Sequence, residues 1–122
     1  MIDVDAFEGL TELTHIDLNS NELKEIPDSL FYSSYLKNIN LGYNRLLAVP
    51  PNFIDSVSDN TVFIKLDLEK NFLQNLPYLS NANRVVDLTL SGNPVQTLQY
   101  NDLSGYTSLQ ELKIERMGLK RI

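Results

Sequence analysis

Apolar residues recur along the chain in one fixed phrase: apolar, two free positions, apolar, one free, apolar, two free, asparagine, one free, apolar. The phrase occurs at Leu13, Ile16, Leu18, Asn21 and Leu23, again at Leu36, Ile39, Leu41, Asn44 and Leu46, and a third time at Phe63, Leu66, Leu68, Asn71 and Leu73. It returns at Val85, Leu88, Leu90, Asn93 and Val95, and finally at Leu109, Leu112, Ile114, Met117 and Leu119, where methionine stands in place of asparagine. Three residues after each phrase comes a further apolar anchor, namely Ile26, Val49, Leu76, Leu98 and Ile122, and proline follows the first three (Pro27, Pro50, Pro77). The middle of the phrase alternates apolar and polar with period two, which predicts a short strand with one buried face. A single strand of this kind cannot cover its own apolar side. Units stacked side by side can, and they then form a parallel sheet over a continuous interior.

The asparagine falls where the chain must turn away from the strand. Its amide carries two donors and two acceptor lone pairs, enough to satisfy backbone groups in its own turn and in the neighbouring coil. Asn21, Asn44, Asn71 and Asn93 are therefore predicted to form a structural ladder that answers the hydrogen-bond demands of a tight bend facing the core. Met117 cannot bridge backbone groups this way, so the ladder is expected to end there or to use water.

These five in-phase copies resemble the leucine-rich repeat family, and the resemblance spans nearly the whole chain. It implies an α/β solenoid wound as a right-handed superhelix, with a parallel β-sheet on the concave face, a mostly 3₁₀ or irregular convex side and little α-helix. Residues 1–122 are expected to form one domain of about five units. Measured between the anchors Ile2, Ile26, Val49, Leu76, Leu98 and Ile122, the steps are 24, 23, 27, 22 and 24 residues. Five residues past an anchor a further apolar position recurs at Phe7, Phe31 and Leu103, with Phe53 or Ile54 in that part in the third unit. By resemblance this is the convex-side phenylalanine spine of the roughly 24-residue repeat class, common in secreted and cell-surface proteins. The longest unit, with Pro50-Pro51 and the polar run 55–61, predicts a convex bulge or a short helix with a loop. The shortest lacks the Phe position; Leu79 is expected to fill its space, with 3₁₀ or extended structure outside. The segment from Ile2 to Phe7 aligns with Ile26 to Phe31, so the sequence opens and closes in mid-unit, and no polar cap is visible. The expectation is a segment of a longer array, or ends covered by pairing with another chain.

Composition narrows the chemistry. The 122 residues include 21 Leu and 13 Asn but no Cys, no Trp and one His, with a net charge of −6. Disulfides, thiolate zinc sites and cysteine nucleophiles are excluded, as is a multi-histidine metal centre. Sixteen acidic residues against ten basic ones argue against phosphate-backbone binding, so no nucleic-acid partner is expected. No apolar run approaches a membrane span, so no direct membrane contact is expected. The acidic, mixed start Met1–Asp5 lacks the basic residues and apolar run of a secretory leader, so if the protein is secreted its leader is expected to have been removed or to lie outside this sequence. No N-x-[ST] sequon occurs among the 13 Asn.

On the concave side the free positions of each strand point outward. The first outward row is His15, Asn38, Lys65, Asp87 and Glu111; the second is Asp17, Asn40, Asp67, Thr89 and Lys113; the third is Asn19, Gly42, Glu69, Ser91 and Glu115. These hold six acids and two lysines. Neighbouring strands lie about 4.8 Å apart, so each row is a stripe, and Lys65 is expected to reach Asp87 across strands. Beside the third row stand Ser20, Tyr43, Lys70, Gly92 and Arg116. Tyr43 and Arg116 are the expected anchors, since Tyr and Arg are enriched at interface hot spots. A solvated sheet face must in any case be polar, and solubility alone selects such a mixture.

Catalysis finds little support. His15 and Asp17 share a face, but Ser20 and Asn38 are the nearest candidates to complete a triad on an open sheet without a cleft. Asp67, Glu69 and Asp87 could hold calcium through oxygen ligands, yet Lys65 and Lys70 compete for their charge and no ligand loop is present. No dinucleotide or P-loop motif occurs. No cofactor or metal is expected. The resemblance implies protein recognition, as in receptor ectodomains, adhesion proteins and innate-immune recognition proteins, with a concave face suited to a partner carrying a basic patch and an extracellular or cell-surface setting. Two alternatives stand beside it. One is an intracellular scaffold or regulator, consistent with zero Cys and zero sequons. The other is a self-associating structural segment with exposed ends.

Overall fold

The computed structural model describes residues 13–27, 35–54, 63–99 and 102–117. Strands β1 (His15–Asp17), β2 (Asn38–Asn40), β3 (Ile64–Asp67), β4 (Val85–Thr89) and β5 (Glu111–Lys113) form one sheet in chain order, every neighbouring pair parallel. This is the solenoid that the repeated phrase predicts, with almost no helix. Beneath the sheet lies one core built from the phrase's apolar positions: Leu36, Ile39, Leu41 and Leu46 from one unit, Leu66, Leu68 and Leu73 from the next, Val85, Leu88, Leu90 and Val95 from the one after. Burying a side chain of this size stabilises by about 1.5–3 kcal/mol. Leu13, Leu18, Leu109, Leu112 and Ile114 pack against this core but are only partly buried. Of the anchors, Ile26 and Val49 are buried and Leu76 and Leu98 partly so. Ile2, Phe7, Phe31, Leu119, Ile122 and the polar run 55–61 lie outside the described residues.

One position departs from the phrase. Phe63 is expected at the first apolar site of the third unit, but it is 54% exposed, and Ile64 is fully buried in its place. Ile64, Leu66 and Leu68 alternate strictly, so all three point inward from one continuous strand. The fourth unit keeps the two-residue spacer between Val85 and Leu88. The mismatch is absorbed as a register shift: Ile64 pairs with Val85, but Lys65 pairs with Asp87, leaving Val86 as the extra residue of a bulge.

Why the strands are so short is seen one residue before each ladder position. There Ser20, Tyr43, Lys70, Gly92 and Arg116 all adopt the left-handed conformation, with φ of 63°, 56°, 56°, 80° and 53°. The chain leaves the sheet at that point in every unit. For the four non-glycine residues this costs about 1 kcal/mol each or more, and it persists because the turn beyond is fixed from the neighbouring unit. Parallel bonding does not stop at the formal strand ends: Ser20 N donates to Gly42 O (3.0 Å), Tyr43 N to Glu69 O (2.7 Å) and Lys70 N to Ser91 O (2.9 Å).

The convex side follows the unit lengths. Phe53 and Ile54 are both fully buried, so both fill the spine of the long unit. In the short unit Leu79 is buried where the phenylalanine is missing, and a 3₁₀ turn, Ala82–Arg84, leads into β4. Tyr106 ties this side together. Its ring is buried, and its hydroxyl donates to Pro77 O at 2.6 Å, 29 residues earlier. Loss of solvent pushes this phenol well above the ordinary tyrosine range.

Candidate functional site

The outward rows form as the alternation predicts. His15 pairs with Asn38, Asn38 with Lys65, Lys65 with Asp87 and Asp87 with Glu111. In the second row Asp17, Asn40, Asp67, Thr89 and Lys113 are likewise neighbours. Around Leu66 and Leu88 the face dips into a shallow depression of about 240 Å³ with Asp67, Asp87, Thr89 and Glu111 on its walls. Lys65 Nζ lies 3.8 Å from Asp87 Oδ2 across the strands, and Lys113 Nζ lies 3.3 Å from Glu111 Oε1 along one strand. Both pairs are solvated, so each is worth about 1 kcal/mol or less. With both row lysines engaged, Asp67, Glu69 and Glu115 keep no cationic partner among the described residues.

Part of the second row also shapes the backbone. Asp17 Oδ1 accepts the N–H of Asn19, Asn40 Oδ1 that of Gly42 and Asp67 Oδ1 that of Glu69, each at 2.9 Å. These are Asx turns, in which a short carboxyl or amide side chain replaces the backbone acceptor two residues on. They hold the third-row residue in place just before the left-handed step. The signal was in the sequence, as D-x-N, N-x-G and D-x-E at equivalent places. The fourth unit has Thr89 there, and Ser91 Oγ instead accepts the N–H of Glu115 at 3.0 Å.

Tyr43 and Arg116 stand at the edge of the face, both exposed and both left-handed. Lys70, in the same row, lays its aliphatic stem over Gly92: a Cβ added there would come within 2.7 Å of Lys70 Cδ. His15 is exposed, with Nδ1 2.9 Å from its neighbour Thr14 Oγ1. The Ser20 hydroxyl donates to Asn19 Oδ1. No group of three or more acidic or histidine side chains converges as metal ligands among the described residues.

The ladder beneath the face is directional. Asn44 Oδ1 accepts from Asn21 N and Leu23 N of the preceding unit, both at 2.9 Å, while its Nδ2 donates to Leu18 O and Leu41 O at 3.0 Å. Asn71 accepts from Leu46 N at 3.0 Å and donates to Leu41 O and Leu68 O at 3.0 Å. Asn93 accepts from Asn71 N and Leu73 N at 3.1 and 3.0 Å and donates to Leu68 O and Leu90 O at 2.9 Å. These three amides are buried. Asn21 is exposed, and among the described residues its side-chain amide bonds within its own turn, to Leu18 O and Asn19 O. At the other end Met117 is buried in the ladder position, and the Asn93 N–H turns to Leu90 O of its own unit at 3.3 Å.

Comparison with known proteins agrees with this architecture. A family model described as leucine rich repeat matches residues 1–46. A probable glycoprotein hormone G-protein coupled receptor of Anthopleura elegantissima is 30% identical over 121 residues, which is 97% of this chain and 13% of that protein. Chaoptin of Drosophila melanogaster is 32% identical over 117 residues, 93% of this chain and 8% of that protein. Fibromodulin of Gallus gallus is 26% identical over 144 aligned residues, 95% of this chain and 37% of that protein. The chain belongs to the leucine-rich repeat family, and it is a protein-interaction module built from such repeats. It spans well under half the length of each of these relatives.

Proposed function

We propose that the concave face binds a protein partner through a basic patch, and that the module belongs to a receptor or adhesion protein acting outside the cell or at its surface. The observation that carries the first part is the stacking of outward positions into stripes whose lysines are already paired, while Asp67, Glu69 and Glu115 have no cationic partner among the described residues. Such a field speeds encounter with a positively charged surface and disfavours acidic ones. Tyr43 and Arg116, at the rim, would then anchor the partner. The setting draws support from relatives of the receptor kind.

The test must spare the turns. Asp67→Asn keeps the oxygen that accepts the Glu69 N–H, and Glu69→Gln and Glu115→Gln are isosteric. Partners captured on the immobilised chain from a cell-surface fraction should dissociate from this triple variant at least about tenfold more readily, and the salt dependence should flatten. Equal retention at low salt refutes the reading.

A further inference from the structure

Away from the concave face, two hollows lie on the flank and convex side of the third to fifth units. One, of about 390 Å³, is walled by the amides of Gln74, Asn75, Gln96 and Gln99. The other, of about 300 Å³, is walled by Leu76, Pro77, Leu79 and Ala82 with Tyr78 and Tyr106. Asp102 lines both, and it is the one charged side chain among the described residues that line either. Its Oδ2 accepts the Gln99 N–H at 2.6 Å, closing a turn in which Asp102 N also donates to Gln99 O. Oδ1 takes no hydrogen bond from the described residues.

We propose that the surface at Asp102, between these two hollows, binds an alkylammonium group, a primary amine on an apolar stem. A partly exposed carboxylate, one oxygen of which takes no hydrogen bond from the described residues, supplies the charge-assisted acceptor for an ammonium. The aliphatic wall of Leu76, Leu79 and Ala82 supplies an apolar bed for the stem, as lysine stems commonly find on protein surfaces. Two tyrosine rings border that bed, and aromatic faces attract cations. They differ in mobility: Tyr106 is pinned through its hydroxyl to Pro77 O, while Tyr78 is 76% exposed and free to fold over an occupant. The amide-lined hollow beside it offers acceptors for the remaining ammonium hydrogens. Hollows of this size, with apolar and polar groups side by side, are large enough for a small ligand. An anion finds no cationic lining residue among the described residues, and a neutral stem leaves Asp102 unanswered. The ligand chemistry has two sources, a lysine side chain of a partner polypeptide and a free small amine.

The two are separated by titrating the ¹⁵N-labelled chain with n-pentylammonium chloride and with a blocked glycine–lysine–glycine tripeptide, using n-pentanol as the uncharged control. Shifts of the Tyr78, Ser104 and Gly105 amides report occupancy. Saturable shifts with pentylammonium but not pentanol support the site and show that a free amine suffices. Shifts with the tripeptide alone support it with a polypeptide as the source. Asp102→Asn retains an oxygen for the Gln99 N–H, so its fold should hold, yet affinity should fall about tenfold or more. Tyr78→Ala should weaken binding several-fold. The proposal is overturned if pentanol shifts the same amides equally, if Asp102→Asn binds as tightly as the parent chain, or if neither cation gives a saturable shift.

Discussion

Removing one ladder amide should cost very different amounts at two positions that look identical in sequence. Asn71→Ala deletes the acceptor of the Leu46 N–H and the donor to Leu41 O and Leu68 O, in a site that is 2% exposed. Water cannot reach those groups without opening the turn. With about 1–3 kcal/mol for each buried polar group left unanswered, and some relaxation, the loss should be roughly 2–4 kcal/mol. That is a large share of the roughly 5–15 kcal/mol that holds a domain together. Asn21→Ala removes two bonds within one exposed turn, where water substitutes, and should cost about 1 kcal/mol or less. Urea unfolding followed by circular dichroism measures both, provided the m-values of the variants match that of the parent chain. The melting temperature of Asn71→Ala should drop by roughly 10 °C. If the two variants fall within about 0.5 kcal/mol of each other, the cross-unit bonds are not what makes the ladder matter.

Three further outcomes rest on the contacts of Tyr106 and Asp67. Tyr106→Phe leaves the buried Pro77 carbonyl without its donor and should cost about 1–2 kcal/mol in urea unfolding. In the parent chain the folded state holds the Tyr106 proton beyond the ordinary tyrosine range. The unfolded chain therefore releases it first, and stability that is intact at lower pH should be lost as pH climbs past about 10, with the Tyr106 phenolate absorbance appearing only on unfolding. At the Asx turns, Asp67→Asn should be close to neutral in stability, whereas Asp67→Ala, which strands the Glu69 N–H, should cost about 1 kcal/mol. Equal melting of the two would show that the carboxylate charge, not the turn, is what Asp67 contributes.

The rows and the core were legible because they depend only on period two and on the spacing of the phrase. His15, Asn38, Lys65, Asp87 and Glu111 had to become neighbours once the units stacked in phase, and they did. Lys65 reaches Asp87 for the same reason. Leu79 was foreseeable as the replacement for a missing phenylalanine because the volume had to be filled. Phe63 was misplaced because Phe63 and Ile64 are both apolar, and only strand pairing decides which turns inward; β3 chose straight alternation and β4 took up the difference at Val86. The left-handed row was invisible because Ser, Tyr, Lys and Arg do not advertise that conformation as Gly does. The unequal burial of Asn21 and Asn71 depends on what lies next to each unit, which the phrase does not encode. The two hollows that Asp102 lines belong to the same class, since they depend on how neighbouring coils meet.

The direction of the ladder sets an order in time. Asn44 completes the turn at Asn21 from 23 residues downstream, and Asn93 completes the turn at Asn71 from 22 residues downstream. On a ribosome, where the chain emerges from its N-terminus, each bend thus waits for the following coil to arrive before its amides find their acceptor. Assembly of this array is therefore vectorial, the ordered front trailing the emerging chain by about one coil.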